Sequence, residues 1–133
     1  MPLTRRSLLQ ALLANNPARP NILVILTDDQ GYGDIGCFGS SSIRTPNLDK
    51  LAAGGMKLTD HSVCAPVRSP SRAGLLTGRY PQRTRVTGVL REEHDESGMS
   101  LAGETVAEAL QGAGYETALV GKWHLGMPAA YRP

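Results

Sequence analysis

Asp28 and Asp29 stand side by side directly after the apolar run Asn21-Ile22-Leu23-Val24-Ile25-Leu26. Adjacent carboxylates repel unless solvent screens them or a cation lies between them. Two hard oxygen donors suit Ca²⁺, with Mg²⁺ as the alternative. Taken alone the pair is more simply a turn former, and it falls short of the roughly six oxygens that calcium takes. Lys122 and His124 are two residues apart, so on extended chain both would face one side. A lysine point charge and a histidine donor or acid suit an anionic substrate, although in isolation ordinary surface residues are the plainer reading. Arg72 falls in the first turn of an expected helix, where backbone N–H groups favour an oxyanion; its plain alternative is a solvated arginine. His61 and His94 have no supporting neighbours and receive no role.

The elements that would position these residues read as follows. Residues 21–26 are a continuous aliphatic run, the pattern of a buried parallel strand, ending in the polar turn Thr27-Asp28-Asp29-Gln30-Gly31. A Gly- and Ser-rich loop covers 31–42. Thr45 as cap with Pro46 at the first helical position opens a helix that Gly54-Gly55 stops. Residues 56–63 alternate weakly, as a strand would. Ser69-Pro70-Ser71-Arg72 repeats the cap-then-proline signal and opens a helix that Gly78 ends. Residues 104–111 are amphipathic, with Val106, Ala109 and Leu110 on one face. Glu116-Thr117-Ala118-Leu119-Val120 reads as a second short strand closed by Gly121, and the charged run 91–96 as a solvated loop. This order predicts an α/β fold with a parallel sheet. In such sheets functional groups gather beyond the carboxyl ends of the strands, where Asp28-Asp29 and Lys122-Trp123-His124 both fall.

Composition excludes several classes. The chain has 133 residues with 41% hydrophobic and 20% charged, enough apolar content for a packed core. A net charge of +2 with scattered basic residues, and only 5% aromatics, argues against nucleic acid as a partner. Cys37 and Cys64 are too few for a disulfide scaffold or a four-cysteine zinc site. No stretch approaches the roughly 20 apolar residues of a membrane span. Residues 1–19 differ from the rest: Arg5-Arg6 precede the apolar stretch from Leu8 to Ala14, the order of a twin-arginine export signal, with a frayed tail or short amphipathic helix as the alternative. Export implies a periplasmic or secreted protein.

Four blocks, in order, resemble the type I, formylglycine-dependent sulfatases of the alkaline-phosphatase-like superfamily. They are Arg19-Pro20-Asn21 through Asp28-Asp29-Gln30-Gly31, Thr45-Pro46-Asn47-Leu48-Asp49-Lys50-Leu51-Ala52, Ser69-Pro70-Ser71-Arg72-Ala73-Gly74-Leu75-Leu76-Thr77-Gly78-Arg79, and Gly121-Lys122-Trp123-His124-Leu125-Gly126. The resemblance implies that 20–133 is the N-terminal part of a sulfatase catalytic domain. The fold it implies is the N-terminal part of a parallel or mixed sheet sandwiched by helices. It further implies hydrolysis of sulfate esters of sugars or aryl groups. Asp28 and Asp29 would bind Ca²⁺, Arg72 would steady the modified nucleophile, and Lys122 and His124 would contact the ester. The nucleophile in such enzymes is a formylglycine made by a maturation enzyme from Cys, sometimes Ser, in Cys-x-Pro-x-Arg. One hydroxyl of its hydrate attacks sulfur and the other later expels sulfate, while the metal polarises the ester.

The sequence departs from this pattern. Counting back from Pro70 and Arg72, the nucleophile position holds Arg68, and a guanidinium can neither become formylglycine nor attack sulfur. Cys64-Ala65-Pro66-Val67-Arg68 is itself a Cys-x-Pro-x-Arg string four residues upstream, an alternative modification site; the bland reading of Cys64 is a buried, inert thiol. The family's downstream Leu-Leu-Thr-Gly-Arg keeps its interval from Arg72, which favours substitution at 68 over an insertion. Further ligands of the metal, an Asp and an Asn, come from later family sequence. Two other readings stay open. One is a non-catalytic relative that binds sulfated ligands with Arg68 filling the pocket. The other is a related phosphoester or phosphonate hydrolase, against which the full signature around Arg72 argues. Apolar faces on the leading strand and helices predict low stability for the chain by itself.

Overall fold

The structure is a computed structural model and describes residues 19–91 and 97–133. The expected export segment therefore lies outside the described residues, but for Arg19, as does most of the charged run 91–96. The chain divides into two compact units after Leu51.

In the first unit, two successive 3₁₀ turns, Tyr32–Asp34 and Gly36–Phe38, fill the loop predicted from its glycines and serines. Helix α1, Pro46–Ala53, follows with proline at its first position, as the sequence predicts. Asp49 of α1 reaches back to the loop. Its Oδ1 accepts from the Cys37 N–H at 2.7 Å and from the Thr45 hydroxyl at 3.0 Å, while the Gly36 N–H donates to Thr45 Oγ1 at 2.8 Å. Gly36 is required here, because a Cβ would lie 2.7 Å from Asp49 Oδ2. Tyr32 and Phe38 pack edge to face across the same loop, with ring centroids 4.7 Å apart.

The second unit is built on α2, Arg68–Thr77, the four-residue helix α3, Pro81–Thr84, and α4, Val106–Gly112. Gly78 ends α2 in the left-handed conformation at φ 62°, as its position in the sequence predicts. The start of α2 differs from expectation. It opens at Arg68 behind an extended Val67 with no side-chain cap, so Ser69 and Pro70 lie inside the first turn. Proline is tolerated there because first-turn N–H groups have no intrahelical acceptor. Thr105 and Glu108 cap α4 reciprocally. Ala73, Val86, Met99 and Leu125 form the buried core, with Leu76, Leu90 and Trp123 packed against it.

The predicted parallel sheet is not seen among the described residues. The sole pairing there is an isolated antiparallel bridge between Gly98 and Gly126, flanked by the Met99 N–H donating to the Leu125 carbonyl at 2.8 Å. Residues 21–26, 56–63 and 116–120 form no strand. The physical reason is plain at the first run: a strand is stable only against a partner strand and a covering layer. Among the described residues Ile22 to Leu26 have neither, standing 47–71% exposed.

Candidate functional site

Arg68 and Arg72 are one turn apart on α2 and so share a face. Two cations four apart at a helix N-terminus, with no acidic residue in the first turn, oppose both each other and the helix dipole. Arg72 is half-buried and tied down: its Nη1 donates to the Lys122 carbonyl at 2.9 Å. That bond, across 50 residues of sequence, brings the N-terminal half of α2 to the segment carrying Lys122 and His124.

The Lys122–His124 segment is not the extended run assumed from its spacing. Gly121 has φ 114°, His124 φ 58° and Gly126 φ 138°. With His124 left-handed, alternation no longer sets the directions of the Lys122 and His124 side chains. Positive φ in a non-glycine residue is uncommon, and histidine and aspartate are among those that adopt it. Asp29, at φ 55°, is another of these residues. Leu125, wholly buried, anchors the segment in the core. Trp123 anchors it from the other side, its Nε1–H donating to the Tyr131 carbonyl at 2.6 Å. The Tyr131 ring in turn covers the bridge of Gly98 and Gly126, where a Cβ on either glycine would run into it.

His124 has one nitrogen engaged and one not. Nε2 lies 2.9 Å from the Leu90 carbonyl, and Nδ1 is buried with no hydrogen-bond partner among the described residues. The Leu90 N–H donates to Oγ of Ser69, a wholly buried residue at the second position of α2, at 3.2 Å. Ser69 and Leu90 had no place among the candidates. They lie 21 residues apart, and Leu90 and His124 are 34 apart, so no local pattern announces either contact.

Cys64 is exposed rather than buried. Its thiol leans on α2, donating to the Pro70 carbonyl at 3.7 Å and occupying the space a Cβ at Gly74 would need. Ser71 Oγ donates to the Ala65 carbonyl, fastening the Cys64–Arg68 string to the helix it precedes.

Asp28 and Asp29 belong to the first unit, in an exposed bend. Their donor chemistry suits a hard cation. Among the described residues, however, no group of three or more His, Cys, Asp or Glu side chains could hold a metal ion. Two carboxylates make up only part of a calcium site.

Three comparisons place the chain among known proteins. The Sulfatase family model matches residues 20–130, and the chain belongs to that family. It is 49% identical over 115 residues to human steryl-sulfatase, covering 83% of this chain and 20% of that protein. It is also 49% identical over 124 residues to human arylsulfatase A, covering 92% of this chain and 24% of that protein. A crystal structure of Ps i-CgsB in complex with k-i-k-neocarrahexaose superposes with a TM-score of 0.77 at 38% identity, over 80% of this chain and 24% of that one. The chain thus spans about a fifth to a quarter of the length of the relatives it matches.

Proposed function

We propose that this chain is the N-terminal part of a sulfate-ester hydrolase, with α2 and the 122–124 segment forming one side of its active site. The observation that carries the reading is the Arg72–Lys122 bond, which joins two sequence blocks that resemble the family's signature. Arg72 steadies the nucleophile position at the start of α2. Lys122 supplies positive charge to the sulfate, and His124 works beside it at the reacting centre. Asp28 and Asp29 would hold part of a Ca²⁺ ion, which when bound polarises the ester. Residues 21–26 and 116–120 become sheet strands once partner strands cover them. Arg5-Arg6 directs export to the periplasm or exterior; no helix among the described residues is long and apolar enough to cross a membrane.

Arg68 stands at the nucleophile position, so turnover requires Cys or Ser there, matured to formylglycine by a dedicated enzyme. The test is a form as long as the matched relatives, carrying Arg68→Cys and co-produced with such an enzyme. It is assayed on aryl sulfates, a steryl sulfate and sulfated oligosaccharides, classes framed by the relatives above. Calcium-dependent sulfate release supports the reading; no turnover of any of them refutes it.

A second reading has its own observation. The pair Arg68 and Arg72, one turn apart on one face of α2 at its N-terminal end, favours an anion there. On that reading the protein binds sulfated ligands without cleaving them. Binding of a sulfated oligosaccharide that Lys122→Ala abolishes supports it, and no binding to any sulfated ligand removes it.

A further inference from the structure

We infer that Ser69 is a positioning residue for His124, acting through the peptide of Leu90 to fix which imidazole nitrogen carries the proton. The inference rests on the reading of His124 as a substrate contact, and adds how its chemistry is set.

The path has two hydrogen bonds, each of one possible polarity. The Leu90 N–H donates to Ser69 Oγ at 3.2 Å, which orients that peptide from the first turn of α2. The carbonyl of Leu90 can only accept, so His124 Nε2, 2.9 Å away, carries the hydrogen. In the neutral ring Nδ1 is then a bare lone pair, buried and without a partner among the described residues. A buried acceptor left unsatisfied is costly, so Nδ1 fits a donor such as a hydroxyl at the reacting centre. The left-handed backbone at His124, φ 58°, is the distortion that delivers the ring to the Leu90 carbonyl. Ser69 directly follows residue 68, so one turn of helix carries the nucleophile position and sets the protonation pattern of the histidine.

The experiment is ¹⁵N NMR of the histidine rings in the 133-residue chain. It is run above the imidazolium titration range, with the His124 signals assigned by His124→Gln. The expected spectrum shows a single neutral tautomer with Nε2 protonated. Ser69→Ala removes the acceptor for Leu90, and its His124 nitrogens move toward the average of two exchanging tautomers, while Ser69→Thr restores the single form. A purely structural role for Ser69 would lower stability without moving the tautomer. A wild-type ring protonated at Nδ1 overturns the inference, and so does a folded Ser69→Ala chain with an unchanged tautomer. Should Ser69→Ala not fold, the wild-type chain decides: the Leu90 amide exchanges with solvent more slowly than that of Val89 if the relay is present, and equal rates overturn it. None of these readouts depends on turnover. A chain with the expected tautomer and no sulfate-ester turnover at Arg68→Cys would leave the relay standing and sink the sulfatase reading alone.

Discussion

Gly74→Ala tests the seat of Cys64. Gly74 is an interior residue of α2, where replacing glycine with alanine ordinarily gains about 1 kcal/mol. Here the new methyl group meets the Cys64 thiol, far inside contact distance, and the backbone carbonyl of Arg79 at 3.3 Å. Forcing a methyl into filled space costs about 1–3 kcal/mol, so the net change runs from roughly zero to about 2 kcal/mol of destabilisation. Removing the thiol first reverses the sign. With Cys64→Ala the remaining Cβ sits 3.6 Å away, an ordinary contact, and Gly74→Ala then stabilises by up to about 1 kcal/mol, less whatever the Arg79 carbonyl takes. The double-mutant cycle therefore has a coupling of about 1–3 kcal/mol. Urea titration at low protein concentration, followed by the fluorescence of the one tryptophan, Trp123, reads each corner of the cycle. Stabilisation by Gly74→Ala in the native background, with coupling below about 0.5 kcal/mol, would refute the placement of the thiol over α2.

Other local devices are open to tests of the same kind. Glu108 is held below the ordinary carboxylate range, chiefly by the backbone N–H of Thr105 and then by its hydroxyl. Its capping contribution is accordingly full above the ordinary carboxylate range and is lost as pH falls through the depressed value. Helicity of residues 106–112 by NMR should follow that fall and lose its pH dependence in Glu108→Gln, while Thr105→Ala should cost about 1 kcal/mol at neutral pH. Gly126→Ala sets a Cβ 2.5 Å from Tyr131 Cβ on a backbone at φ 138°. It should destabilise by at least about 2 kcal/mol and shift Trp123 emission to the red; unchanged emission would contradict the packing of Tyr131 over the bridge. Asp49→Ala removes the acceptor shared by Cys37 and Thr45. It should weaken the 31–40 loop by about 2 kcal/mol, read as faster amide exchange at Cys37, and an unchanged rate there counts against the clamp.

What the sequence made legible was whatever depends on near neighbours in the chain. Pro46 at the start of α1, Gly78 at the end of α2 and the amphipathic stretch that becomes α4 are local decisions, and the residues nearby carry them. The start of α2 was displaced because it has no side-chain cap; Val67 enters it from extended backbone. Residues 21–26 and 116–120 have strand-forming side chains, yet a strand is a property of a pair, and propensity cannot supply the partner. At the candidate site, the residue types at Arg72, Lys122 and His124 were evident. The contacts that hold them were not: a carbonyl at Leu90, a hydroxyl at Ser69 and the Tyr131 carbonyl beyond Trp123 are ordinary groups whose significance comes from tertiary placement.

The exposed run at 21–26 also governs how this chain behaves in company. Asn-Ile-Leu-Val-Ile-Leu is uncharged, proline-free and rich in β-branched residues, and its apolar side chains are 47–71% exposed. Such a segment has the composition of a steric zipper. Copies of the chain would add to one another through it, strand upon strand. Solubility and apparent melting temperature thereby become functions of protein concentration, and a single charge placed at Val24 should raise the concentration at which the chain stays monomeric.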